Sequence, residues 1–137
     1  MTAFADTSGL YAAVVKNEEW HRESVASLEA LLEKGRTIFT TSYVMVETAA
    51  LLQHRIGLEA VRDFEEHLVP FLNVEWVGQP LHRQGMERLF REDRRNLSLV
   101  DCVSLEFIRT SGLSDVLGLD RHFLEAGLRL LPLEKKR

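Results

Sequence analysis

The sequence predicts an α/β fold with a central, mostly parallel sheet of four to five strands flanked by helices. Two observations lead to this prediction. Short apolar or β-branched segments alternate with longer segments, and the longer ones carry apolar residues at helical spacing. Such alternation is typical of strand–helix–strand units, in which the strands run parallel. Because a chain of 137 residues with 45% hydrophobic residues can bury one sizeable core, we expect a single domain over residues 1–137.

The first half of the chain is expected to contain two strands and four helices. The two segments with strand character are residues 2–5 and 37–40. A first helix follows the turn after Asp6. Apolar stripes at i, i+3 or i+4 spacing predict three further helices, over residues 18–34, 43–55 and 58–69. Thr41 or Ser42 can cap the helix over 43–55, and Pro70 is expected to end the helix before it.

The second half is expected to contain three strands and three helices. The strands are predicted over residues 73–77, 115–119 and 128–131. The helices are predicted from about residue 79 to 91, over 99–109 and, as a short turn, over 121–125. Ser98 is expected to cap the helix over 99–109, and Gly112 follows its end. The basic end formed by Lys135, Lys136 and Arg137 is expected to be frayed.

Four acidic residues stand among apolar neighbours, where an ionised carboxylate is costly unless a cation or hydrogen bonds compensate it. They are Asp6, Glu47, Asp101 and Asp120. Asp6 and Asp120 directly follow predicted strands, and the other two lie in the first turns of helices that leave the same edge, where parallel sheets bind ligands. Two carboxylates about 5 Å apart repel by roughly 3 kcal/mol at an effective dielectric of about 20. The sequence therefore predicts an oxygen-ligand site for Mg²⁺ or Mn²⁺.

Each of these acids also has a purely structural interpretation. The alternatives are helix capping by Asp6 and Asp120, a capping box between Ser98 and Asp101, and an ion pair of Glu47 with Arg55 or Lys34. Capping does not explain Glu47, which lies too deep in its helix. Zinc fits less well than a hard cation, because the five histidines show no paired ligand spacing. The single cysteine, Cys102, is expected to be a buried packing residue.

The charge and hydropathy of the sequence limit the expected location of the protein and the partners that it could bind. A formal net charge of −4 argues against general attraction to nucleic acid. Setting aside the four acids of the predicted site leaves 17 of the 21 acidic residues, which equals the 17 Lys and Arg, so net charge does not decide the partner. The chain shows no secretory signal and no apolar run near the roughly 18 residues of a membrane span, so a cytoplasmic location without membrane contact is expected.

The segments around the four acids resemble the PIN domain. They are residues 6–12, 46–47, 98–104 and 119–123, with Gly127 and residues 131–132. Their order and spacing are similar to those of small single-domain members, including toxins of VapBC toxin–antitoxin pairs, over nearly the whole chain. The resemblance implies a metal-dependent ribonuclease site at the four acids, with the hydroxyl of Thr7 or Ser8 near the metal. The chain departs from the pattern at Gly118, where many members have Thr or Ser.

The activity implied by the resemblance is hydrolysis of RNA phosphodiester bonds by a water that Mg²⁺ or Mn²⁺ activates. The candidate RNA contacts nearest the site are Arg94, Arg95, Arg121 and His122, with Arg83, Arg88 and Arg91 further along the same stretch. Acidic residues are interleaved with these arginines, so a solvated helix face explains them equally well. The expected partners are RNA, an antitoxin that places an Arg among the acids, and a second copy of the chain in a homodimer.

Two other functional classes remain open at this point. A magnesium phosphatase of the haloacid dehalogenase type also begins with a strand, an Asp and a turn, but it requires a second Asp where this chain has Ser8. A non-catalytic interaction module could use the same acids to bind basic groups on a partner. A metal site would raise the melting temperature when Mn²⁺ is added, whereas a capping network would not respond.

Overall fold

Five parallel strands form one sheet in the structure, a computed structural model that describes residues 2–132. The strands are β1 (Thr2–Ala5), β2 (Thr37–Thr41), β3 (Leu72–Glu75), β4 (Asp115–Leu117) and β5 (Arg129–Leu131). Their order in the sheet is β3-β2-β1-β4-β5, and every neighbouring pair is parallel. The predicted α/β fold with a parallel sheet is confirmed. The basic end predicted to be frayed lies outside the described residues.

Helices connect the strands along the chain. They are α1 (Thr7–Val14), α2 (His21–Glu33), α3 (Ser42–Arg55), α4 (Leu58–Asp63), α5 (Gln79–Glu92), α6 (Leu99–Ser111) and α7 (Arg121–Glu125). Thr41 caps α3 by accepting a hydrogen bond from the Val44 amide at 3.3 Å, as one of the two predicted caps. No helix in the described part of the chain is long and apolar enough to cross a membrane.

The helix predicted over 58–69 differs most from the structure. The α-helical part ends at Asp63, and the chain continues as a π-helix (Phe64–Leu68) and a 3₁₀ turn (Val69–Phe71). Pro70 therefore does not stop the helical backbone. It lies in the first turn of the 3₁₀ helix, where a backbone amide would have no hydrogen-bond partner within the helix, so the proline loses no hydrogen bond. The predicted strands 73–77 and 115–119 are shorter, because the chain leaves the sheet after Glu75 and Leu117.

The hydrophobic core lies on both faces of the central strand β1. Ala3, Phe4 and Ala5 are fully buried, and the Phe4 ring contacts Phe107 of α6 with 5.9 Å between ring centroids. Cys102 is also fully buried, as predicted. Because helices cover both faces, the carboxyl ends of the strands are the part of the sheet that remains open to ligands.

The strand order reverses between β1 and β4, which creates a crevice at their carboxyl ends. The amide of Asp6, just after β1, donates a 2.9 Å hydrogen bond to the Leu117 carbonyl at the end of β4. A Cβ atom on Gly9 would lie 2.5 Å from the same carbonyl oxygen, so only glycine lets α1 pack this closely on β4. The residues that follow the two strands are therefore held side by side.

Candidate active site

Asp6 lies at the bottom of the crevice as the N-cap of α1 and is only 2% exposed. Its Oδ2 atom accepts hydrogen bonds from the Ser8 amide at 3.3 Å and the Ser8 hydroxyl at 2.9 Å. Its Oδ1 atom is buried and has no hydrogen-bond partner among residues 2–132. Burial, with a further contribution from the charges of Asp120 and Asp101, raises the pKa of Asp6 to about 7. Capping thus uses one oxygen of this carboxylate and leaves the other for a ligand.

Asp101 has two roles in the structure, one for each oxygen. Ser98 and Asp101 form a capping box at the start of α6, in which Asp101 Oδ2 accepts from the Ser98 amide at 2.9 Å. The other oxygen, Oδ1, lies 3.5 Å from Nε2 of His122 on α7. The capping interpretation and the site interpretation are therefore both compatible with this residue.

Asp120 follows β4 through a short loop and is the N-cap residue of α7. Its side chain makes no capping hydrogen bond, so the capping interpretation does not account for it within the described residues. Although the residue as a whole is exposed, partial burial of its carboxylate raises the pKa of Asp120. His122 offsets part of this rise and Asp101 adds to it. The carboxylate therefore belongs electrostatically to the same group as Asp101.

Glu47 lies in the second turn of α3, not the first as predicted from the sequence, and is partly buried. Burial raises the pKa of Glu47, a hydrogen bond from Thr7 offsets part of the rise, and Asp101 and Asp120 add to it. Thr7 also accepts a 3.2 Å hydrogen bond from Thr48, which joins the start of α1 to α3. The alternative of an ion pair with Arg55 or Lys34 is not observed within residues 2–132.

All four predicted acids line one cavity of about 330 Å³ at the carboxyl edge of the sheet. Within the described chain, the closest group of ligand-type atoms comes from Asp101, Asp120 and His122, whose atoms all lie within 4.8 Å of one another. Asp6 and Glu47 lie outside that group but on the wall of the same cavity. The structure thus brings the four acids together and adds His122, which the sequence had predicted as an RNA contact beside the site.

This donor set fits a divalent metal ion. Asp6 Oδ1 and His122 Nε2 are both buried without a hydrogen-bond partner in the described part of the chain. Buried polar atoms are seldom left unpaired, because the loss of water costs about 1–3 kcal/mol per group. Asp101, Asp120 and His122 could hold one such ion.

The serine beside Asp6 joins the two acid-bearing loops. The Ser8 hydroxyl donates to Asp6 Oδ2 and accepts a 2.9 Å hydrogen bond from the Leu119 amide, next to Asp120. A Cβ atom on Gly118 would lie 3.3 Å from Asp6 Cβ and 3.4 Å from Ser8 Oγ, so the glycine leaves room for this bridge. A second carboxylate at position 8, as a phosphatase of the haloacid dehalogenase type requires, would replace this link.

The predicted RNA contacts occupy four kinds of position. Arg95 and Arg121 are exposed, whereas Arg94 is ion-paired with Glu125 at 3.1 Å. Arg88 bonds the buried Glu106 at 2.8 Å and is mostly covered, so it holds α5 to α6 instead of facing a ligand. His122 lies in the acid group.

The cavity wall also contains residues that were not predicted as part of the site. Tyr11, Glu18 and Arg55 are among them. Arg55 follows Glu47 by eight residues and Leu51 by four, so helical spacing alone could have placed it on the same face of α3. No sequence pattern links Tyr11 of α1 with Arg55, because their contact depends on how the two helices pack.

Comparison with known proteins gives matches only at the level of structure. No family model matches the sequence, and no curated protein matches it significantly. Mycobacterium tuberculosis VapC20, described as a sarcin–ricin loop cleaving toxin, matches with a TM-score of 0.80 and 28% identity, over 92% of this chain and 95% of that one.

Two toxin–antitoxin complexes share the fold at lower identity. VapBC2 from Rickettsia felis, bound to a DNA fragment from its promoter, has a TM-score of 0.70 and 15% identity, over 95% of this chain and 97% of its own. FitAcB from Neisseria gonorrhoeae has a TM-score of 0.67 and 12% identity, over 94% and 96%. The chain therefore has the PIN-like fold of the VapC-type toxins.

Proposed function

We propose that the chain is a metal-dependent ribonuclease and the toxin of a toxin–antitoxin pair. The observation that carries the proposal is the single cavity at the carboxyl edge of the sheet, in which acids from four distant segments meet. The similarity to VapC20, described as cleaving the sarcin–ricin loop, supports RNA as the substrate class. Such an enzyme would act in the cytoplasm.

The ion is proposed to be Mg²⁺ or Mn²⁺, held by Asp101, Asp120 and His122 with Asp6 and Glu47 beside them. Oxygen ligands predominate in this set, which suits hard cations that retain some of their water. When bound, such an ion supplies a hydroxide at neutral pH and offsets the charge of the scissile phosphate.

The chain's own residues prepare the site before substrate arrives. The Ser8 hydroxyl bonds both Asp6 and the Leu119 amide, and the capping box fixes one oxygen of Asp101. These bonds hold the carboxylates in fixed positions, so little reorganisation is needed at the moment of reaction. The raised pKa values of Asp6, Glu47 and Asp120 reflect unfavourable negative charge in the cavity. We therefore expect the metal-free cavity to repel a phosphate.

An antitoxin is proposed to block the same cavity by placing an Arg among the acids. Two of the structural relatives are toxin–antitoxin complexes, which supports a partner of this kind. A guanidinium would pair with carboxylates that otherwise repel each other. The homodimer expected from the sequence remains a prediction.

Cleavage of a mixed RNA pool tests the proposed function. We expect products in Mn²⁺ and none in EDTA. Asp6→Ala and Asp101→Asn should each reduce the rate by about 100-fold or more, since each removes a charge that the transition state needs. Asn at position 101 keeps an acceptor for the capping box, so folding is preserved. Glu59→Gln, at an exposed position of α4, is the matched control and should cleave normally. Mn²⁺-dependent cleavage retained in both site variants would end the proposal.

A further inference from the structure

An arginine that lies over a tyrosine ring forms part of the wall of the acid cavity. Arg55 ends α3 and Tyr11 lies in α1, with the guanidinium carbon 5.4 Å from the centre of the Tyr11 ring. Both residues line the same cavity as the four acids. A guanidinium at this distance from an aromatic ring is attracted to its π face. The packing of α1 against α3 therefore sets the position of this cation.

Arg55 is available to a ligand. Its side chain is exposed, and it forms no ion pair with any residue in the described range 2–132. Among the described residues that line the cavity it is the one Lys or Arg, beside five acidic residues. A guanidinium held by an aromatic ring and not by a carboxylate keeps its hydrogen-bond donors free. This arrangement suits an anion that enters the cavity from outside.

The spacing along α3 separates this cation from the proposed metal site. Arg55 lies eight residues after Glu47, which is about 12 Å along the axis of an α-helix. An oligonucleotide whose scissile phosphate lay at the acid group would therefore reach Arg55 with a neighbouring nucleotide. Glu47, Leu51 and Arg55 lie on one face of α3 and on the cavity wall, so the path between the two points is continuous.

We propose that Arg55 and Tyr11 form a nucleotide subsite for single-stranded RNA next to the cleavage point. The inference rests on the proposed ribonuclease function and adds to it which residues bind the substrate beyond the metal. The guanidinium donates two parallel hydrogen bonds to a phosphate. The tyrosine ring and the guanidinium plane each offer a flat surface on which an unpaired base stacks, as such groups do in recognition of single-stranded RNA.

Binding without cleavage tests the subsite separately from the nuclease reaction. We would measure the fluorescence anisotropy of two labelled probes in buffer that contains Ca²⁺. One probe is a short single-stranded RNA of mixed sequence, and the other is an abasic ribose–phosphate strand of equal length. Arg55→Ala should weaken binding of the RNA about tenfold. The same variant should reduce the slope of log affinity against log salt by about 0.7, because one phosphate contact is lost. Arg62→Ala, an exposed arginine on α4, is the matched control and should change neither value.

The tyrosine variants separate stacking from charge. Tyr11→Leu should weaken binding of the RNA about fivefold but leave the abasic strand and the salt slope unchanged, since only base stacking is lost. Tyr11→Phe keeps the ring and should bind like the wild type, which controls for the packing of α1. Arg55→Lys should keep the salt slope and lose part of the affinity for the RNA, because its charge remains without a planar surface.

The results also separate this inference from the proposed function. Wild-type affinity and salt slope in both Arg55→Ala and Tyr11→Leu would overturn the subsite, even if the wild type cleaves RNA in Mn²⁺. Loss of affinity in Arg55→Ala without any cleavage by the wild type would support RNA binding at Arg55. It would end the nuclease proposal, and with it the placement of this site beside a cleavage point. A change in melting temperature of Arg55→Ala with unchanged RNA binding would make Arg55 a counter-ion of the acids, and would overturn the subsite.

Discussion

At the scale of single residues, Asp6 carries the clearest conflict between stability and the proposed function. Its side chain is almost completely buried, one oxygen has no partner in the described chain, and two further acids raise its pKa. A structural role as N-cap would be served equally well by Asn or Ser. The charge is unfavourable for folding at neutral pH, and its role in the proposed function is to bind a cation.

We therefore expect Asp6→Asn to stabilise the metal-free protein. Asn keeps an oxygen that can accept from Ser8 and removes a buried charge and its repulsion with Asp101 and Asp120. The free energy of unfolding in EDTA at pH 7, measured by urea denaturation, should rise by roughly 1–3 kcal/mol. Glu59→Gln, which removes an exposed charge, should change it little. A less stable Asp6→Asn protein would show that the negative charge has a structural partner.

The sequence predicts the acids more readily than their neighbours. Asp6 and Asp120 can be recognised because each follows a strand, and the carboxyl ends of parallel strands meet at one edge. His122 joins the acid group because α7 turns its side chain towards Asp101, and Tyr11 meets Arg55 through helix packing. These contacts join residues far apart in the chain, so neither apolar spacing nor secondary-structure propensity predicts them.

At the scale of elements, α5 and α6 pack closely around a buried carboxylate. Gly85 lets the helices approach, since a Cβ atom there would clash with Cγ2 of Val103. Glu106 of α6 accepts hydrogen bonds from Arg88 and Arg109, each at 2.8 Å. Burial raises the pKa of Glu106, but hydrogen bonds and charge from Arg109 and Arg88 outweigh it and hold the pKa below its usual 4.5.

This ion-pair network predicts a pH dependence of stability. A carboxylate whose pKa is lowered by folding stabilises the folded state above its unfolded pKa, and this contribution is lost as pH falls through the folded value. Glu106→Gln should therefore be less stable than the wild type at pH 7, by roughly 1–3 kcal/mol. The difference should shrink as the pH falls below about 4.5.

Urea denaturation of both proteins at several pH values measures this effect. Glu87→Gln, an exposed residue of α5, is the control. A difference between wild type and Glu106→Gln that stays constant from pH 7 to about pH 3 would contradict the assignment, because a titrating carboxylate must lose its advantage on protonation.

The boundaries of elements were predicted less well than their existence. Periodicity extends the fourth helix through residue 69, whereas the structure changes from α to π and 3₁₀ hydrogen bonding after Asp63. Apolar spacing does not distinguish these helical forms here, because each of the two segments spans only about one turn. In the same way, the apolar residues after β4 resemble strand residues but lie in the loop that carries Asp120.

At the scale of the whole molecule, the sheet order explains why four acids distant in sequence can share one cavity. The reversal between β1 and β4 opens the crevice, α1 and α3 leave the same edge, and the start of α6 completes the wall. Setting aside the four acids leaves the chain with equal numbers of acidic and basic residues, so the excess negative charge equals that of the site. The central claim is that this cavity holds a divalent ion.

Thermal melting with and without Mn²⁺ tests that claim most directly. A ligand that binds only the folded state stabilises it by about 2.7 kcal/mol at a hundredfold excess over Kd. The wild type should therefore melt roughly 5–10 °C higher in saturating Mn²⁺ than in EDTA. Asp101→Asn should lose most of this rise, while Glu59→Gln should keep it. A wild-type melting temperature that is the same in Mn²⁺ and in EDTA would contradict the account.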